Sequence, residues 1–472
     1  MRRVAAGASA RKTAAGTAVL SVLATGALLG LVAAQDARAE SAAPGGGSSY
    51  SYGFAEDART LQGASSTGDA PPLEQGAVYR ASLEKDATLI YRVDLDAGTQ
   101  AYASAVAVPP TGTEIMFQDG IKVALQDQDG NNCSSTDTGF GSARFSRPIA
   151  AYASRRLDGK DGDPCQGAGS YFFVVERKGE DGSSADPWDV EIRLTPEPKL
   201  AEAGPTTAPS VWPSASPDAP AGGPRERQGG SGFHTAPGLE QGEWSDKIEP
   251  GESRFYRVPV DWGRQLFVSA NLGSSPGDGY VSDALKATLY SPALGLVGSM
   301  DSLYYSGKQQ TIAFEPLPPV AYENRFSSDT ETSAMRFAGW YYLRVTLNPE
   351  VGEKFGDHPY GLTLKVDLEG KAEAGPRYAG DAGIFKVTED DLRAAAEGQS
   401  GPQAAERGSA MRVLAVGGIG TGTVLLTGLG VWTLMGRRRA GGVPAGVPAV
   451  GEATVGDAAT PTRPYGAGDR SP

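Results

Sequence analysis

The chain has 472 residues, a formal net charge of −13, and 64 Gly and 33 Pro spread unevenly along it. The acidic balance argues against a nucleic-acid binder, which needs a basic surface. Two His and two Cys are too few for a Cys/His zinc site of the usual ligand count and leave little room for His-dependent catalysis.

Residues 1–39 read as a secretory signal peptide. Arg2, Arg3, Arg11 and Lys12 form a positive start, Thr17 to Leu31 is uncharged and mostly apolar, and Ala37-Arg38-Ala39 is a small-x-small cleavage site. Residues 40–68, rich in Ser, Gly and Ala, are expected to be a flexible leader. Two sequence blocks follow, 69–196 and 235–369, joined by a Pro/Ala/Gly-rich linker over 197–234.

The blocks repeat one another. Leu73-Glu74-Gln75-Gly76 recurs as Leu239-Glu240-Gln241-Gly242, and Tyr91-Arg92-Val93 as Tyr256-Arg257-Val258. Ile121-Lys122-Val123-Ala124-Leu125 matches Leu285-Lys286-Ala287-Thr288-Leu289. Pro148-Ile149-Ala150 matches Pro319-Val320-Ala321, Gly169-Ser170-Tyr171 matches Gly339-Trp340-Tyr341, and Asp186-Pro187-Trp188 matches His358-Pro359-Tyr360. Six anchors in one order indicate a duplication. The anchors are short, rich in Val, Ile, Tyr, Phe and Leu, and alternate with period two. Val190, Ile192 and Leu194 alternate with Asp189, Glu191 and Arg193; Tyr256, Val258 and Val260 alternate with Arg257 and Pro259. The expected fold is all-β: two tandem, jelly-roll-like β-sandwich domains.

Residues 370–410 form a juxtamembrane segment with one short helix, capped by Thr388, acidic in its first turn at Glu389, Asp390 and Asp391, and ended by Gly398. A single transmembrane helix is expected over 411–435. Val413 to Leu434 carries no charge and would span about 33 Å. Arg437, Arg438 and Arg439 follow as the membrane anchor and place the C-terminus in the cytoplasm. No Leu-Pro-x-Thr-Gly sorting motif precedes the span. Gly418 and Gly422 have the spacing that lets two helices pair as a homodimer. Residues 436–472 are expected to be a disordered cytoplasmic tail. The expected location is the cell membrane, single-pass, with an extracellular N-terminal body.

Tyr91-Arg92-Val93-Asp94-Leu95-Asp96-Ala97-Gly98 and Tyr256-Arg257-Val258-Pro259-Val260-Asp261-Trp262-Gly263, each after a Leu-x-x-Gly start, resemble the bacterial pre-peptidase C-terminal (PPC) domain. The second block is also similar to the β-rich region that follows the von Willebrand A domain in some actinobacterial secreted proteins. The resemblance implies sandwich folding and carries no activity with it.

Cys133 and Cys165 are expected to form a disulfide once exported, closing a loop worth about 3–4 kcal/mol. Asp127, Asp129 and Asn131, and the Asp158–Asp163 stretch, are acidic Gly-containing loops that are either calcium ligands or tight turns. His358 lacks a Gly-x-Ser-x-Gly partner motif, so no catalytic residues are assigned. Trp244, Trp262, Trp340, Tyr304, Tyr305, Tyr341 and Tyr342 are either core residues or a glycan platform, which would show as an exposed row on one sheet. The reading is a non-enzymatic envelope protein that binds envelope or secreted proteins, with no cofactor unless calcium binds. The alternatives are a glycan-binding surface module and a calcium-stabilised accessory domain of an exported hydrolase system.

Overall fold

The computed structural model describes residues 51–157, 164–215, 217, 222–300, 303–407 and 429–435. The expected signal peptide, the Asp158–Asp163 loop and Arg437, Arg438 and Arg439 lie outside these residues. So does most of the expected span: residues 429–435 are helical, and among the described residues no helix is long and apolar enough to cross a membrane.

Nine strands build the first sandwich: β1 (Arg59–Thr60), β2 (Val78–Leu83), β3 (Thr88–Leu95), β4 (Thr99–Val108), β5 (Gly120–Gln126), β6 (Asn132–Gly139), β7 (Ile149–Arg155), β8 (Gly169–Lys178) and β9 (Trp188–Pro198). Nine build the second: β10 (Arg225–Glu226), β11 (Gly242–Ile248), β12 (Ser253–Val260), β13 (Gln265–Leu272), β14 (Leu285–Tyr290), β15 (Leu296–Ser299), β16 (Gln310–Ala313), β17 (Gly339–Leu347) and β18 (Tyr360–Glu369). The sheet orders are β1-β2-β9-β4-β7 with β3-β8-β5-β6, and β10-β11-β18-β13-β16 with β12-β17-β14-β15. Strand for strand the two topologies are the same.

Register follows the repeat. Val93 faces Tyr171 and Tyr91 faces Phe173; Val258 faces Tyr341 and Tyr256 faces Leu343. Leu83 faces Trp188 as Ile248 faces Tyr360. One anchor is corrected. The strand equivalent to β7 is β16, so Ile149, opposite Ala107, corresponds to Gln310, opposite Leu272. Val320 lies beyond that strand, bonded to Gly263 and Arg264. The shared Pro-apolar-Ala composition produced the mismatch.

Burial shows how the sandwiches combine. In β13 and β18 buried and less buried residues largely alternate, as expected of sheets with one solvent face. In β4 eight consecutive residues are buried, and β12 and β14 are buried almost throughout. Residues on alternate faces of a strand point to opposite sides of its sheet. Glu191 and Glu197 of β9, and Phe255, Tyr290 and Arg344 on the other side, point away from their own cores and are still buried. The β4/β9 sheet therefore packs face to face on the β12/β17/β14 sheet, and the body is a stack of four sheets. Val106, Ala150, Phe255, Tyr290 and Leu294 form one apolar cluster across the junction, with Tyr52 and Phe233. Tyr102, Phe337 and Phe385 form a second. Gly295 is required here: a Cβ would stand 1.7 Å from the Tyr152 ring of the first sandwich.

The described parts of two segments expected to be loose are folded. In the expected leader, Tyr52 is 6 % exposed and β1 pairs in parallel with β2. In the expected linker, β10 pairs in the same way with β11, Phe233 is buried, and Trp212 Nε1 donates to the Pro316 carbonyl. Arg59 over Tyr79 with its ion pair to Glu74 is repeated as Arg225 over Trp244 with its ion pair to Glu240. Each sandwich thus begins earlier than composition indicates, because a two-residue strand has no periodicity to read. The segment that follows β18 runs back over both sandwiches. Tyr378 bridges to Leu200, and α3 (Glu389–Glu397), which follows the short helices α1 (Thr330–Ala334) and α2 (Glu350–Phe355) in the chain, docks beside β12. Thr388 and Asp391 close a capping box at its start, and Gly398 adopts the left-handed conformation at its end. Ala394 and Ala395 are buried against Gly238, where a Cβ would approach to 2.7 Å.

Candidate functional site

Cys133 at the start of β6 and Cys165 after β7 form a disulfide with Cα atoms 5.7 Å apart. It ties the edge strand β6 to the loop that follows the opposite sheet's edge.

Asp127 follows β5 and closes a turn. Its Oδ1 accepts from the backbone N–H of Asp129 and Asn131, and its Oδ2 from the Asn131 side chain. Desolvation raises its carboxyl, but these bonds prevail and hold it below its ordinary value. The oxygens a cation would need are already turned to N–H donors. Among the described residues, no group of three or more His, Cys, Asp or Glu is arranged to hold a metal ion.

His358 precedes β18, stacked on Tyr360 with ring centroids 4.5 Å apart. The structure brings to it a residue that spacing did not indicate: Ser275 Oγ lies 3.2 Å from its Nε2. Ser275 is buried and its hydroxyl also lies 3.1 Å from the Phe355 carbonyl. His358 Nδ1 faces the Pro359 carbonyl at 3.2 Å, a backbone oxygen where a catalytic triad has a carboxylate.

The aromatic residues of the second block divide by burial. Trp244, Trp262, Tyr305 and Tyr341 are buried. Trp340 lies under Arg257 and donates to Asp391, and Tyr342 packs on Phe233. Tyr304 alone of the seven is largely exposed, at 64 %. They form no exposed row.

The junction carries the polar chemistry. Glu197 is fully buried and accepts four bonds: from Arg325 Nη2 at 2.8 Å and the Tyr378 hydroxyl at 2.9 Å on Oε1, and from the Tyr102 hydroxyl at 2.6 Å and Gln100 Nε2 at 3.2 Å on Oε2. First sandwich, second sandwich and the segment after β18 thus meet at one carboxylate. Burial, and then the negative charge of Glu197, push the Tyr102 hydroxyl well above its ordinary value, so it remains a donor. Further along β9, Glu191 accepts from Arg193 and from the Ala55 N–H.

At one edge the junction opens into a cleft of about 590 Å³. The first sandwich supplies Tyr52, Phe54, Pro109, Pro110, Arg147 and Asp189, and the second supplies Gly251, Glu252 and Ser253, with Ser231 between them. Such concave sites with a few convergent polar groups are where ligands bind. Sequence reasoning named none of these residues as a site. Their elements come together only through the packing of one sandwich on the other, and the one available signal was Arg147 standing between Ser146 and Pro148 in a loop before an apolar strand.

Comparison with known proteins identifies no family: no family model matches the chain, and no curated protein matches it. Solved structures of low similarity exist. The tandem CBM22-1–CBM22-2 domains of Paenibacillus barcinonensis Xyn10C share 11 % identity over 63 % of this chain and 92 % of that one, with a TM-score of 0.18. Tripeptidyl peptidase 2 shares 9 % identity over 69 % of this chain and 28 % of that one, with a TM-score of 0.19. The CUB1-EGF-CUB2 region of human MASP-1/3 shares 8 % identity over 61 % and 99 %, with a TM-score of 0.15. Likeness at this level carries no argument about function.

Proposed function

We propose that the chain is an exported, single-pass envelope protein whose double sandwich is a non-enzymatic binding body. It would engage a segment of an envelope or secreted protein in the cleft at the sandwich junction. The observation that carries this reading is that the cleft is built by both sandwiches and that their junction is packed with apolar clusters and buried ion pairs. Domain interfaces are mobile by default unless they are large and apolar. This one holds the cleft walls in fixed register, which lowers the ordering cost of binding. The location rests on the sequence: a positive start and apolar run at one end, and an uncharged stretch followed by Arg437-Arg438-Arg439 at the other. Docking of α3 supports a body held close to its anchor, since Gln399 still bonds to Gly238 and Arg257.

A photo-crosslinking amino acid placed at Ser231, on the exposed lip of the cleft, should give a discrete adduct on intact cells. The same group at exposed Tyr304 should give none. Equal labelling from both positions, or none from either, would remove the cleft as the partner site. Protease added to cells stripped of their wall should digest the sandwiches and spare a tag placed after Ala440; the reverse pattern would invert the topology.

A further inference from the structure

A second cavity lies apart from the junction cleft and shares no lining residue with it. It holds about 320 Å³, room for one long side chain rather than for a length of chain. Its walls are residues 200–205 at the start of the linker, the turn after β12, residues 320–323, and residues 373–377 beyond β18. Backbone bonds fix these walls: the Glu373 N–H donates to the Trp262 carbonyl, and the Ala201 N–H to the Arg377 carbonyl. Two observations mark the cavity. The first is an indole N–H without an acceptor. Trp262 is 7 % exposed, and among the described residues its Nε1 donates to nothing. Nε1 is not one of the nitrogens sealed from solvent, and the cavity is the opening its ring lines. Gly375 in the cavity wall stands at that edge of the ring, where a Cβ would lie 2.3 Å from Nε1. The second observation is an excess of negative charge. Three carboxylates line the cavity against one guanidinium, and only Glu202 is matched, by Arg377 at 3.2 Å. Glu323 is half-buried and Glu373 exposed, and among the described residues neither side chain makes a hydrogen bond or an ion pair. Arg325 is turned to Glu197, and Arg264 to the carbonyls of Leu368 and Gly370.

We propose that this cavity takes an arginine side chain from an exposed segment of another protein, with its guanidinium at Glu323 and Glu373 and a carbonyl of its own backbone on Trp262 Nε1. The inference does not rest on the junction cleft. One donor and two anionic acceptors call for a ligand that carries both an acceptor and a cation, as a basic residue within a peptide does. A metal ion would leave the indole N–H unmet, and a neutral peptide would leave both carboxylates unmet. The flat fork of a guanidinium presents several N–H donors and can serve two carboxylates at once. The cavity admits one such side chain and no larger group. The chain as a whole, at −13, draws cationic segments towards it.

The test uses the purified full-length chain at about 0.15 M salt, where long-range attraction to the acidic body is screened beyond about 8 Å. The probes are a fluorescein-labelled Gly-Ala-Arg-Ala-Gly amide and its counterpart with citrulline, the uncharged analogue of arginine, read by anisotropy. The arginine peptide should bind at least about tenfold more tightly, the effect of one charge-assisted contact. Glu323→Gln/Glu373→Gln should abolish that preference. Neither carboxylate holds another group, so the denaturant midpoint of this variant should stay where it is. Trp262→Phe keeps a ring and removes the donor. It should weaken both peptides by the same factor, about fivefold, and leave the preference between them. Equal binding of the two peptides, or no saturation by either, overturns the inference. So does a preference that survives in Glu323→Gln/Glu373→Gln. Displacement of the arginine peptide by spermidine at a lower concentration than by the unlabelled peptide overturns it as well, since a polyamine has no carbonyl for Trp262. None of these outcomes touches the junction cleft, which the crosslinker at Ser231 tests separately.

Discussion

Removal of the carboxylate at the junction should cost the body a large part of its stability. Glu197 and Arg325 are 0 % and 1 % exposed in their side chains and lie 2.8 Å apart. Glu197→Ala would leave the Arg325 cation buried and strip the acceptor from the Tyr102 and Tyr378 hydroxyls and from Gln100. Breaking a buried pair from one side costs about 3–5 kcal/mol, most of it the penalty of the orphaned charge. That is a fall of more than about 100-fold in the folding constant. Replacing both partners with apolar residues of similar volume is often neutral. Glu197→Met/Arg325→Met should therefore recover most of the loss, even though either single change is severe. Denaturant titration read by tryptophan fluorescence measures both, and the wild-type chain should unfold its two sandwiches together. A cost below about 1 kcal/mol for Glu197→Ala, or a double variant as unstable as the single one, would show that the carboxylate does not hold the sandwiches together.

Thiol labelling of the folded, non-reduced chain should find no free thiol, and Cys133→Ala/Cys165→Ala should lose about 3–4 kcal/mol, seen as a lower denaturant midpoint. Gly295→Ala should cost about 1–3 kcal/mol by overlap with the Tyr152 ring, and adding Tyr152→Ala should cost less than the sum of the two single changes. Asp329 caps α1 by accepting from Thr332, whose side chain and backbone hold its carboxyl below the ordinary value. A depressed carboxyl stabilises the fold above its unfolded pKa and loses that contribution as pH falls through the folded one. Asp329→Ala should accordingly cost about 1 kcal/mol near pH 7 and progressively less below about pH 4, in unfolding curves run across that range.

The parts of the fold legible in the sequence are those set by local pattern. Period-two alternation marked the residues that fill each core, such as Val190, Ile192 and Leu194, because one face of every strand is apolar whatever lies beyond the other. Thr388 and Gly398 marked both ends of α3, because capping is decided within a few residues of the helix end. Glu191 and Arg257 were polar partners in that alternation, Glu197 was counted as the first residue of the linker, and nothing local states what covers them. What covers them lies far along the chain: Ala55 bonds to Glu191, Arg325 of the second sandwich to Glu197, and the Gln399 carbonyl beyond α3 to Arg257. The cleft was hidden for the same reason: Tyr52, Arg147 and Glu252 meet only through tertiary packing. The leader and linker were misread because a two-residue strand held by an arginine over an aromatic ring leaves no compositional trace.

The two copies differ where their surroundings differ, and this accounts for the single disulfide. Strand β6 reads Asn-Cys-Ser-Ser-Thr-Asp-Thr-Gly and contains no buried residue, so hydrophobic burial does little to hold this sheet edge in place. The Cys133–Cys165 bond supplies the missing constraint from the chain itself. Its counterpart β15 is four residues long, buries Val297, and lies against α1. An edge covered in that way needs no covalent tie and is also closed to pairing with another chain. The same logic separates β7 from β16. Strand β7 is covered by the second sandwich and carries Ala150 and Tyr152 into the junction, whereas three of the four residues of β16 are exposed. Duplication supplied two equal frames; which faces became apolar, stapled or polar followed from what each frame came to lie against.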